Sequence, residues 1–371
     1  MKLHCHRPTL ATAFQIVSGV VPSRTPKDIL RNVKLQVGGG KATLVGTDQE
    51  VGIRYDIPGV ETDSDGEVLL PKDRLIAILR ELTDDGVDLE VTEKALWVRS
   101  GHSEFKLSAE DPAEFPPVQV FDATSYHVVP AASFKEMIRR TVFATDTEST
   151  RYALGGVLME FNADKLTMAA TDSRRLAVVS TASSTIGTIE PRATQPVVPA
   201  KALSLIERSI TENDQDVYVA VYPNSVLVKV GSSTIYSRLV EGRFPRYADV
   251  IPAAAGGSII DMVVSPFYSA IRQAQIVTNE ESRGVDFTFD NGVLRLNSVA
   301  ADIGQSKVEM PISYDGTAIT ITFDPRYIAD FLRILDASTS VKLQLTDGES
   351  AAVIRTDDGY TYVIMPLARD R

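Results

Sequence analysis

A chain of 371 residues is long for one hydrophobic core and fits two or three domains. Hydrophobic residues make up 44% and charged residues 23%; that is an ordinary globular composition, and no apolar run nears the roughly 20 residues that span a bilayer. The formal net charge of −11 argues, taken alone, against nucleic-acid binding, and the single Cys5 excludes an internal disulfide. With no apolar signal segment in the start MKLHCHRPTL, a reducing cytoplasm is the expected compartment.

In chain order the same pattern is met three times. Each copy opens on a strand, at 2–5, 126–129 and 259–264. An apolar-periodic helix follows at 9–17, 133–142 and 265–277, with Thr9, Ser133 and the Ser265-Pro266 pair as start signals. Strands come next, with turns at Gly38-Gly39-Gly40, Asn162-Ala163-Asp164 and Asp290-Asn291-Gly292. They include strand–kink–strand units at 41–57, 164–180 and 291–312. A second helix follows a proline in each copy, at 70–82 (LPKDRLIAILREL), 198–210 (VPAKALSLIERSI) and 323–335 (FDPRYIADFLRIL), and these starts lie 128 and 125 residues apart. A meander closes each copy, at 87–108, 217–239 and 341–365, and its alternation leaves one sheet face wet. A period this long marks tandem domains and not solenoid units. The expected fold is α+β: three copies of an antiparallel sheet with two helices on one face. Proline-rich connectors at 111–117 and 252–257 put the domains at 1–124, 125–254 and 255–371.

The charge is unevenly spread. Counted over 9–17, 71–82, 134–143, 201–210, 266–277 and 325–335, the six helical segments hold eleven basic residues, Lys72, Arg74, Arg80, Lys135, Arg139, Arg140, Lys201, Arg208, Arg272, Arg326 and Arg333, against five acidic ones. Helices facing one polyanion would explain this, as would ordinary solvated lysine and arginine. Enzymatic signals are thin. The glycines 38–40 lie between strands and not before a helix, so they do not form a phosphate loop. His4 and His6 share a strand face, but no further ligand completes a metal site. Thr47-Asp48 and Thr171-Asp172 recur at equivalent places, where such side chains bond the backbone of a kink more readily than they do acid–base work. Neither a cofactor nor a metal is called for.

Several stretches carry a resemblance: 24–30 (RTPKDIL), Gly46-Thr47-Asp48, 98–107 (VRSGHSEFKL), 170–178 (ATDSRRLAV), 239–247 (LVEGRFPRY), 279–285 (NEESRGV) and 362–367 (YVIMPL). In this order, over essentially the whole chain, they resemble the bacterial DNA polymerase III β subunits, the sliding clamps. The resemblance implies a head-to-tail homodimer: a ring of six like domains, helices lining the hole, duplex DNA passing through it. It implies no catalysis and no membrane contact, but a tether for the replicative polymerase, the clamp loader and other proteins with a clamp-binding motif.

Carried over position by position, the resemblance places DNA contacts at Arg24, Tyr152 and Lys201, beside the helix residues Lys72, Arg74, Arg80, Lys135 and Arg139. A family basic position falls on Asp73, which Lys72 and Arg74 flank. The partner-peptide groove maps to Leu154, Thr171, Arg174, Arg175, Leu176, Pro245, Val250, Val363, Met365, Pro366 and Leu367, with Arg174 and Arg175 as its charged rim. Asp249 stands where the family has arginine, and residues 368–371 extend past the family's usual end. The dimer seam maps to Phe105 and Leu107 and to Ile276 and Val277, with only Asp302 and Glu309 near it as acids, opposed by Lys307. Two other readings stay open here: a monomeric protein scaffold, and a hydrolase using Asp48 and Asp172.

Overall fold

The computed structural model describes the chain except residues 93–94, 147–151, 190–194, 213–214, 253–255, 281–282 and 369–371. Among the described residues the helices are α1 (Arg7–Ser18), α2 (Lys72–Glu81), α3 (Ala131–Thr141), α4 (Ala200–Ser209), α5 (Val264–Ala274) and α6 (Pro325–Arg333). They stand at the six repeated positions, and antiparallel strands fill the sequence between them as the alternation requires.

The start signals differ from expectation. Thr9, Ser133 and Ser265 lie inside their helices, which begin one or two residues earlier. The cause is long-range. The first helical N–H of α1, from Arg7, donates to the Asp85 carbonyl at 2.7 Å; that of α3, from Ala131, to Gln215 at 2.9 Å; that of α5, from Val264, to Thr339 at 2.9 Å. Amides at a helix start need partners, and here a distant loop supplies one. Helix α6 uses a local cap: Asp324 accepts from the Arg326 N–H at 3.0 Å.

The chain packs as two compact units, one of Met1–Lys135 with Ala182–Leu239, the other of Glu136–Thr181 with Val240–Arg371. The units do not follow the threefold sequence pattern, because sheets continue across the borders between copies. In the first unit a nine-stranded sheet joins copy one to copy two: strand Val51–Asp56 pairs with strand Ser233–Arg238, Ile53 opposite Ile235. In the second unit, strand Arg175–Ala182 of copy two pairs with strand Thr361–Ile364 of copy three, Leu176 opposite Val363. These two seams are called the first and second junction below.

Each unit has an apolar interior built from the helix stripes. In the first, Leu10, Phe14 and Val17 of α1 and Leu75 and Leu79 of α2 are fully buried. Helix α1 lies so close to strand Lys41–Thr47 that a Cβ on Gly46 would fall 2.8 Å from Val17 Cγ1. Cys5 is buried, and burial pushes its thiol up to about 12, so it is no nucleophile at neutral pH. In the second unit, Phe331 of α6 stacks on Tyr362 with ring centroids 4.7 Å apart, and the buried phenols of Tyr360 and Tyr362 donate to the Arg140 and Tyr327 carbonyls. Each unit also ends a sheet on a strand that, among the described residues, is paired along one edge only: Ser103–Ser108 in the first, Gly304–Pro311 in the second.

Candidate functional site

The two Thr-Asp turns are built alike. Thr47 Oγ1 donates to the Val51 carbonyl and Thr171 Oγ1 to the Arg175 carbonyl, at 2.9 and 2.6 Å. Asp48 Oδ1 accepts from the amides of Glu50 and Val51, and Asp172 Oδ1 from those of Arg174 and Arg175. Gln49 and Ser173 both adopt a left-handed backbone, with φ of 81° and 73°. The Arg238 N–H donates to the Glu50 carbonyl at 2.9 Å, and the Met365 N–H to the Arg174 carbonyl at 2.8 Å. Positions 47–52 therefore correspond to 171–176, and Arg238 to Met365. Both aspartates are engaged in turn geometry, which leaves no acid–base pair for a hydrolase.

At the first junction the space beside this turn is filled. Gly52 stands where the second junction has Leu176, and a Cβ there would meet the Val118 methyls at 2.8 and 2.9 Å. Val118, Phe115, Val45 and Leu69 form a buried cluster, with Ile29 and Tyr236 against it. Arg238 closes the polar side on Glu50 at 3.4 Å.

At the second junction the space is open. The connectors correspond, 115–118 (FPPV) to 244–247 (FPRY), so Tyr247 takes the place of Val118. Leu176, Val353 and Val363 form the floor, with Tyr247 and Ile251 against them. The Tyr247 phenol donates to Glu160, and burial with that carboxylate nearby raises its pKa. The result is a cleft of about 490 Å3 lined by Ala153, Leu154, Thr171, Ser173, Arg174, Arg175, Leu176, Arg243, Pro245, Arg246, Tyr247, Val250, Val363 and Met365. Val250 and Met365 are large apolar side chains left 57% and 47% exposed, as a docking surface requires.

Nine of the eleven expected groove residues line this cleft; Pro366 and Leu367 do not. The Leu367 N–H donates to the Thr322 carbonyl at 2.8 Å and so turns away along another strand. Arg175 also departs from its expected role. Its guanidinium, 10% exposed, reaches Asp172 and Asp330 at 2.8 Å each and the Phe143 carbonyl at 2.7 Å, over the Tyr327 ring. Burial opposes that charge and the two carboxylates outweigh it, so Arg175 is an internal brace and not a rim charge. Arg243, Arg246 and Tyr247 were missed; the repeated Phe-Pro connector was the signal that could have found them. Asp249 stands exposed on the turn Tyr247–Val250, outside the lining. Of the terminal extension, only Ala368 is among the described residues.

The expected DNA contacts fall into two classes. Lys72 Nζ donates to the Val21 carbonyl at 3.2 Å and Lys135 Nζ to the Ile210 carbonyl at 3.0 Å, so both ammonium groups are tied down. Lys201 pairs with Asp48, Arg80 with Glu81 and Arg139 with Glu136. Arg24 and Arg74 are exposed, as are Arg208 and Arg272, and none of the four has an acidic partner among the described residues. Tyr152 opens the 3-10 turn Tyr152–Gly155; its side chain lies outside the described residues. On the edge strand Ser103–Ser108, Phe105 and Leu107 are half-buried; on the 3-10 turn Gln275–Val277, Val277 is half-buried and Ile276 is 74% exposed. Glu309 bridges Lys307 and Arg295, which hold its carboxyl below the usual range. Asp302 accepts from Asn279 at 2.9 Å. His4 bonds Asp88 and His6 bonds Thr9, and among the described residues no group of His, Cys, Asp and Glu could hold a metal.

Comparison with known proteins covers the whole chain. Three family models match in sequence: DNA polymerase III beta subunit, N-terminal domain over residues 1–119, central domain over 128–246 and C-terminal domain over 249–368. The beta sliding clamp of Pseudomonas aeruginosa is 30% identical over 370 residues, 99% of this chain and all of that protein. The Pseudomonas aeruginosa sliding clamp solved bound to griselimycin has a TM-score of 0.89 at 30% identity, covering all of both chains. The Bacillus subtilis DNA polymerase sliding clamp has a TM-score of 0.90 at 26% identity, covering 100% of this chain and 99% of that one.

Proposed function

The chain belongs to the DNA polymerase III beta subunit family, and on that premise we propose that it is a DNA polymerase processivity factor. Two copies close head to tail into a ring around duplex DNA, and the second-junction cleft holds the replicative polymerase, the clamp loader and other partners by short peptides. The observation that carries this reading is the cleft itself: one open apolar groove, at one of two homologous junctions, in a chain of three clamp domains. We place the domain borders near 124 and 254. The subunit does no chemistry; processivity comes from topology.

The physics suits the task. The exposed Arg24, Arg74, Arg208 and Arg272 would meet phosphates without reading base edges, giving salt-sensitive contacts indifferent to sequence. The surface pairs of Arg80 and Arg139 are weak, about 0–1 kcal/mol, and can exchange a carboxylate for a phosphate. The unpaired edges Ser103–Ser108 and Gly304–Pro311 suit each other as antiparallel neighbours in two copies, which would also cover Ile276. The cytoplasm is the compartment this role requires.

The test is retention on DNA. Clamps loaded onto nicked circles should stay through a gel-filtration step and be lost once the circle is linearised. Equal retention on open-ended linear DNA would show ordinary binding and overturn the ring. Light scattering should give about twice 40.4 kDa, and changing both Ile276 and Val277 to Asp should give monomers.

A further inference from the structure

We propose that the cleft selects acidic partners: its occupant is an extended peptide carrying carboxylates beside its apolar anchors, and Arg174, Arg243 and Arg246 read them. This deepens the reading of the cleft as the partner site and rests on it.

The charge balance of the cleft carries the inference. Arg174, Arg243 and Arg246 all line it and all are exposed. Among the described residues none of the three forms an ion pair. Of the acids around the cleft, Asp172 and Asp330 are held by Arg175 and Glu160 by the Tyr247 phenol, while Asp249 is exposed on the turn Tyr247–Val250, outside the lining and in no ion pair with the three arginines among the described residues. The rim is thus a patch of three positive charges on a chain whose formal net charge is −11. The closed junction shows that the sign goes with openness. There the counterpart of Arg174 is Glu50, that of Arg243 is Glu114 and that of Arg246 is Pro117. Glu50 is itself bound to Arg238. At these three rim positions, positive charge is placed where the groove is open to a ligand and is absent where the chain fills its own groove. Guanidinium groups around an apolar floor match carboxylates flanking apolar side chains, each group supplying paired N–H donors to an oxygen pair.

Calorimetry on the full chain would use three peptides with the same leucine and phenylalanine anchors and Asp/Glu, Gln or Lys flanks. The acidic peptide should bind about tenfold tighter than the Gln peptide at low salt, as expected for two or three exposed ion pairs. The Lys peptide should bind more weakly than either, and the spread should collapse in high salt. The Arg246→Glu and Arg174→Glu variants should narrow the order or invert it. Equal affinities for the three peptides, or an order unchanged in both variants, would overturn the inference while leaving the partner site standing. Failure of all three to bind would overturn the partner site and this inference together.

Discussion

Gly52 meets Val118 at the first junction, and Tyr247 packs against the cluster of Leu176, Val353 and Val363 at the second, on backbones that share the same turn, the same hydrogen bonds and the same strand register. With glycine at position 52, Val118 of the connector seats directly on the strand, inside a buried cluster. Where Leu176 and Tyr247 stand instead, the phenol reaches across the sheet to Glu160 on strand Gly156–Asn162, and the cleft lies beside it. A binding groove here is a matter of side-chain volume at two corresponding positions, with no change of fold. Duplication supplied two candidate grooves, and packing closed one of them.

Substitutions can break that contrast in order of size. Met365→Asp places a charge on the apolar side of the open cleft and should weaken peptide binding at least a hundredfold, since burying an unpaired charge costs ~3 kcal/mol or more; calorimetry reads this directly. Gly52→Leu forces Val118 off its seat and should destabilise the first unit by about 1–3 kcal/mol, lowering the melting temperature; an unchanged melt would mean that the contact does not close the junction. Val118→Ala should cost about 1–2 kcal/mol through the cavity it leaves, with peptide binding at the second junction unaffected. Tyr247→Phe should cost about 1 kcal/mol, seen as a few-fold weaker affinity. Glu160→Gln keeps an acceptor for the phenol and should retain most of the binding.

Much of the fold was legible because its signals are local. Apolar periodicity placed α2, α4 and α6 within two residues, and strand alternation placed the meanders. What was illegible depends on partners far along the chain. The starts of α1, α3 and α5 are set by carbonyls of Asp85, Gln215 and Thr339, which no window around Thr9 or Ser133 contains. Arg175 reads as a rim charge until Asp330, 155 residues away, is seen beside it. Lys72 and Lys135 look like free cations on helices, yet each ends on a distant carbonyl. The threefold pattern likewise gave the copies but not the two units, since sheets pair across the copy borders.

The stoichiometry of peptide binding tests the contrast most directly. Titrating the full chain with a leucine- and phenylalanine-bearing acidic peptide should saturate at one peptide per chain, and Met365→Asp should abolish the signal. Saturation at two peptides per chain, or one site that survives Met365→Asp, would contradict the assignment of an open groove to the second junction alone.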